Sequence, residues 1–187
     1  MGRRIPREVA VSPDVLLALT AEYGPDSNRG RHLILIDVEG ARVLARIDLG
    51  PSSRPHTALF LPDGRRAVAT MQDSDQLALV DLEARAVIRT YPTGGREGHM
   101  VRLSPDGSRP YVTSRLGHGT LPVVFLDAGP PPIVIETGPG PEGLDVTPAG
   151  REGWRRPRRT TTTSRLARPS SGTTAPRSLL PPARTAA

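Results

Sequence analysis

The chain has 187 residues and no cysteine, and its 25 basic residues are all arginine, giving a formal net charge of +6. The charge is unevenly placed: beyond Glu152 stand eight arginines and no acid, so residues 1–152 carry 17 arginines against 19 acids, a net charge of −2. A mildly acidic body excludes a basic footprint for specific nucleic-acid binding, the missing cysteines exclude disulfide and thiol chemistry, and no apolar run reaches the length of a membrane span.

The N-terminal Met1-Gly2-Arg3-Arg4-Ile5-Pro6 is basic but leads directly into strand-like Val9-Ala10-Val11, so no signal peptide is expected. A turn follows at Ser12-Pro13-Asp14-Val15, then an apolar run ending in an acid, Leu33-Ile34-Leu35-Ile36-Asp37. The same two landmarks return as Leu61-Pro62-Asp63-Gly64 with Leu77-Ala78-Leu79-Val80-Asp81. They return again as Ser104-Pro105-Asp106-Gly107 with Val123-Val124-Phe125-Leu126-Asp127, and Thr147-Pro148-Ala149-Gly150 opens a fourth unit. The prolines lie 49, 43 and 43 residues apart, and self-similarity at a fixed period is the mark of a repeat architecture. In the second unit, β-branched and aliphatic residues predict four strands over Thr57–Leu61, Arg66–Thr70, Gln76–Asp81 and Ala86–Tyr91. Pro presets φ in the hairpin turn, Asp bonds the backbone ahead of it, and Gly takes the left-handed position. Pro130-Pro131-Pro132 precedes the outer strand of the third unit, where an edge tolerates proline. Helical periodicity is nowhere sustained. The class is all-β.

A unit of about 43 residues, running from an inner strand through Pro-Asp-Gly and an acidic turn to an apolar strand ending in Asp, resembles the YVTN-type β-propeller repeat. It is similar to the blades of bacterial seven-bladed lactonase-like and haem-d1-domain-like propellers. Tyr111-Val112-Thr113-Ser114 stands close to the eponymous motif, with Ser114 in place of its Asn; Val15 replaces the turn Gly in the first unit and Ala149 the Asp in the fourth. The resemblance covers residues 5–153. It implies a partial propeller with four-stranded antiparallel blades over 7–50, 54–93 and 97–137 and the start of a fourth over 141–153. Seven such blades need about 300 residues, so the chain is expected to be a fragment. An open arc exposes blade faces through which it is expected to self-associate. The family is often exported, so the resemblance implies the periplasm or cell surface, while the chain shows no export signal.

Residues 154–187 are rich in Arg, Thr, Ser and Pro and are expected to form a disordered tail, because they cannot bury enough apolar area to offset ordering entropy. Thr161 lies 13 residues after Pro148, as Asp75 lies 13 after Pro62. Threonine codons ACG read one base earlier become GAC, aspartate, and arginine codons CGG become GCG, alanine. Trp154 to Ser164 then reads as a strand and an acidic turn, and the tail is expected to be a frame-shifted propeller sequence. Stops, or no further repeat, in the shifted frame of the gene would refute this and leave a genuine tail, in which Arg155–Arg159 binds nucleic acid only nonspecifically.

Six residues before each landmark proline stands a polar residue at the start of the innermost strand: Arg7, His56, His99 and Glu142. In a propeller that strand lines the central channel, so four side chains of ligating or acid–base type are candidates to converge at one mouth. Two readings stand: a site for a divalent metal or a small acidic molecule, or polar caps that satisfy the strand ends. His32 and His118 read as strand-flanking and loop residues. Asp73-Ser74-Asp75 has too few carboxylates for a calcium loop, and no helix follows Gly138-Pro139-Gly140-Pro141 to make a phosphate cradle. No Ser-His-Asp or Cys-His set occurs at a specific spacing, so no catalytic residue is assigned. The expected function is a non-enzymatic interaction or ligand-binding propeller without a cofactor, for a protein or small-molecule partner. The alternatives are a lactonase-like or other hydrolytic propeller with a central site, and a redox-associated propeller similar to haem-d1 domains.

Overall fold

Alternating side chains and regularly placed turns fold as short antiparallel strands. The computed structural model describes residues 6–51, 53–127, 129–147 and 153–157, and among them there is no helix. The first sheet comprises β1 (Pro6–Val11), β2 (Leu17–Glu22), β3 (His32–Asp37) and β4 (Arg42–Asp48). The second comprises β5 (Pro55–Phe60), β6 (Arg66–Met71), β7 (Gln76–Asp81) and β8 (Ala86–Pro92). The third comprises β9 (Gly98–Leu103), β10 (Pro110–Ser114), β11 (Thr120–Val123) and β12 (Ile133–Glu136), and β13 (Pro141–Val146) pairs with β14 (Gly153–Pro157). Each sheet is a meander in sequence order, and the strands of the second match those predicted to within two residues at either end.

The turns form by the chemistry of their residues. In the second unit Asp63 Oδ1 accepts the N–H groups of Arg65 and Arg66 at 2.9 and 3.0 Å, while Gly64 takes φ +66° and donates its N–H to the Leu61 carbonyl. The first unit makes the same turn without glycine: Val15 itself sits at φ 64°, and the Ser12 hydroxyl donates to Asp14 at 2.5 Å. A β-branched residue is poorly suited to that region of φ. The acidic turns after β3 and β7 are equally local, with Asp37 Oδ1 accepting the Gly40 N–H and Asp81 Oδ1 accepting the N–H groups of Glu83 and Ala84.

Period-2 alternation gives the second sheet two apolar faces. One carries Ala58, Ala67, Ala69, Ala78 and Val80 against Leu19, Leu33, Leu35 and Ile47 of the first sheet; the other carries Val68, Leu77 and Leu79 against Val101, Val112 and Val124 of the third. Successive units touch mainly through their inner strands: β5 on β1 and β2, β9 on β5 and β6, β13 on β9 and β10. Three complete blades and part of a fourth are thus stacked face to face in sequence order, which is a partial β-propeller.

The fourth unit departs from its expected limit. β14 runs to Pro157, so Trp154–Pro157 pair with β13 instead of belonging to the tail. A ladder needs only backbone groups, so an arginine-rich stretch with no strand signature still supplies the partner. The tail beyond 157, with its expected disorder, lies outside the described residues.

Candidate functional site

Each innermost strand opens with the same irregularity. The register with its neighbour shifts between Pro6 and Val9 in β1, between Pro55 and Ala58 in β5, between Gly98 and Val101 in β9 and between Pro141 and Gly143 in β13, the extra residue lying on the inner strand each time. A bulge re-aims the side chains beside it, and at each bulge stands a predicted site residue, second in its strand: Arg7, His56, His99 and Glu142. Buried threonines stabilise two of these bulges. Thr70 Oγ1 accepts the Thr57 N–H at 3.1 Å and donates to the His99 carbonyl of the next blade at 2.9 Å, and Thr113 Oγ1 accepts the Met100 N–H at 3.0 Å.

The four predicted residues form one row across the units. The imidazoles of His56 and His99 lie 3.7 Å apart between centroids at 37°, and Tyr23 meets His56 edge-on at 5.3 Å. The guanidiniums of Arg7 and Arg54 lie over the Tyr23 ring, 4.4 and 4.1 Å from its centre, which is cation–π geometry. At the other end Glu142 faces Arg115 at 3.5 Å, and Arg115 also pairs with Glu97. His118 is exposed, and His32 Nδ1 lies 2.7 Å from Glu22 Oε2.

Both imidazoles of the row are buried, each only 7% exposed, and this decides their charge. Desolvation, reinforced by His99, Arg7, Arg115 and Arg54, pushes His56 down to about 3. Desolvation and Arg115 push His99 down to about 4, against opposing contributions from Glu142 and Glu97. At neutral pH both are uncharged. The Nδ1 atom of His99 is buried without a partner, while its ring hydrogen-bonds the Glu142 backbone. A general base works best with a pKa near the operating pH, which neither ring has. Among the described residues no three His, Cys, Asp or Glu side chains gather closely enough to hold a metal ion, and no helix is long and apolar enough to cross a membrane.

Sequence reasoning missed Tyr23, Gln72 and Arg115, which follow the second strands of three successive units at one structural position. It also missed Arg54 and Glu97, each the residue before its inner strand and each in the left-handed region, at φ 42° and 57°, where the fourth unit has Gly140 at φ 65°. The spacing that marked His56 and His99 also marks these positions. Gln72 Nε2 donates to Glu97 Oε1 at 2.5 Å. Beside the row a cavity of about 290 Å³ opens between loops of the first three units, with Arg54, Gln72, Asp75, Arg96 and Glu97 in its wall.

No known sequence family matches the chain, and no curated protein sequence matches it either. Solved structures do. Hydrazine synthase of Kuenenia stuttgartiensis superposes with a TM-score of 0.71 at 18% identity, over 80% of this chain and 41% of that one. A candidate 6-phosphogluconolactonase of Bacteroides uniformis superposes at 0.65 and 16%, over 87% and 53%. A protein of unknown function from Desulfotomaculum acetoxidans superposes at 0.66 and 14%, over 89% and 56%. At these identities the likeness shows the fold alone, and the chain spans about half the length of each structure.

Proposed function

We propose that the chain is a non-enzymatic, ligand-binding stretch of β-propeller, in which Arg7, His56, His99 and Glu142 shape the channel mouth and perform no hydrolysis. The observation that supports this reading is the state of the two imidazoles. They are stacked on one another, shielded from water and held uncharged far below neutral pH, so they serve as packing surface and not as proton carriers. Glu142, the remaining acid of the row, faces a guanidinium. No bound metal and no cofactor form part of the proposal.

The test is a hydrolysis assay on the purified chain with a panel of five- and six-membered lactones, with and without added Zn²⁺, Mn²⁺ or Mg²⁺. No turnover above the buffer rate is expected. Turnover that disappears in His99→Ala, or a stoichiometric divalent ion retained through dialysis, would transfer the reading to the hydrolytic alternative. A visible absorbance band on the purified chain would transfer it to the redox one.

A further inference from the structure

The cavity lies beside the row of mouth side chains, and its wall is assembled from three successive units. Arg29 comes from the loop between β2 and β3, Arg54 from the residue before β5, Gln72 and Asp75 from the turn between β6 and β7, and Arg96 and Glu97 from the approach to β9. At about 290 Å³ it sits at the lower limit of small-molecule sites, which run from about 300 to 1,000 Å³. A space of that size admits only a small molecule.

The acids of this wall are already engaged. Asp73 accepts from Arg29 at 2.8 Å, Asp75 accepts the Glu97 N–H at 2.7 Å, and Glu97 accepts from both Gln72 and Arg115. Two of its cations are paired as well, Arg29 with Asp73 and Arg54 with Asp26, but a guanidinium has five N–H donors and one ion pair does not use them all. Arg96 is exposed and makes no ion pair among the described residues. Arg54, with only 11% of its side chain exposed, reaches Asp26 through Nη2 at 2.6 Å and leaves its buried Nε without a partner. Arg54 also holds a backbone conformation that suits glycine, and such strain persists where the surroundings over-determine it.

From this geometry we infer that the cavity between the first three blades is a binding site for a small oxyanion, a molecule bearing a carboxylate or phosphate group, held by Arg96 and Arg54. This rests on the ligand-binding reading above and gives it a location and a ligand class. Guanidinium groups recognise planar carboxylates and phosphates through paired N–H donors. The pairs Arg29–Asp73 and Arg115–Glu97 flank the space and fix its walls. Leu116, exposed on the rim, offers an apolar contact to the rest of the ligand.

The experiment is a calorimetric titration of the full chain with inorganic phosphate and, separately, with citrate, at constant ionic strength set by sodium chloride. Saturable binding of at least one probe is expected, and which one binds distinguishes a phosphate from a carboxylate ligand. Arg96→Ala should weaken that binding about tenfold through loss of charge-assisted hydrogen bonds. It should leave the thermal midpoint unchanged, because the Arg96 side chain makes no ion pair among the described residues. Arg102→Ala, a cation on β9 outside the cavity wall, should bind as the parent chain does. Absence of saturable binding by both probes, or binding equally strong in Arg96→Ala, overturns the site. Lactone turnover would instead overturn the non-hydrolytic reading while leaving anion binding intact, so the two failures are distinguishable.

Discussion

The first and second sheets carry the same strand pattern and meet different surroundings. On the face turned toward the preceding unit, the second sheet presents Ala58, Phe60, Ala67, Ala69, Ala78 and Val80, all buried against the first. The register sets Val9 and Val11 at the positions of Ala58 and Phe60, and Ile34 and Ile36 at those of Ala78 and Val80. Val9 is 64% exposed and Val11 51%, while Ile34 and Ile36 are half-buried. The hydrogen-bonded meander forms in both cases. What distinguishes them is the neighbour, so a blade's local pattern specifies its sheet while its stability resides in the faces it shares.

Phe60 and Val11 occupy one structural position on faces with different neighbours. Phe60→Ala removes a ring buried between two sheets and should cost about 3 kcal/mol. Val11→Ala, on the open face, should stay within about 0.5 kcal/mol. Urea denaturation of the two variants measures the difference directly, and equal losses would mean that the first interface contributes nothing to the stability of the second sheet.

At the mouth the units also differ in burial and charge. Arg7 is exposed in the first unit, whereas His56 and His99 at the equivalent positions are buried. Their folded-state pKa values of about 3 and 4 lie below the ordinary 6.5. Between those limits the unfolded chain binds more protons, so stability is full above pH 6.5 and falls as the pH drops toward 4 and then 3. Allowing for solvent screening, the loss between pH 7 and 5 should be on the order of 2 kcal/mol for the pair. The carboxylates held low by their turns, such as Asp106 at about 2 through its bonds to Ser104 and Ser108, act below this window and do not confuse it. His56→Phe keeps a stacking ring and should remove roughly half of the slope. A stability profile as steep as the parent's would show that His56 is not held neutral by the fold.

Much of this architecture is legible in the residues. The Pro-Asp-Gly turns, the acidic turn at Asp81 and the apolar runs around Leu35 and Leu79 each act within a few residues, so spacing alone places the strands. The second-in-strand positions of Arg7, His56, His99 and Glu142 follow from the same spacing. The closing of the row does not, because Tyr23, Gln72 and Arg115 come from loops whose approach depends on how blades stack, a distance that no local pattern encodes. Nor does β14, whose pairing with β13 rests on backbone groups that Arg155 and Arg156 supply as well as any residue.

Thr70 gives the finest division between the units. Its hydroxyl accepts from Thr57 within its own blade and donates to the His99 carbonyl of the next. The register gives the first sheet Ala21 at this position and the third Thr113, so the first unit does without the bridge. Thr70→Val keeps the branched shape of a fully buried side chain and removes only the oxygen. Its cost should be about 1–2 kcal/mol, because a buried N–H and a buried C=O both lose a partner. Ala21→Thr adds a hydroxyl at the matching site of the first unit, where the register sets it to accept the Glu8 N–H and donate to the His56 carbonyl, and because that bridge joins a different pair of units it should recover none of the Thr70→Val loss. The decisive readout is local: amide exchange at Thr57 and Met100 in Thr70→Val. If only Thr57 gains exchange, the hydroxyl secures its own bulge and no more. If Met100, beside the His99 carbonyl, gains with it, the threonine couples the two blades, and the covered units hold one another in a way the first cannot.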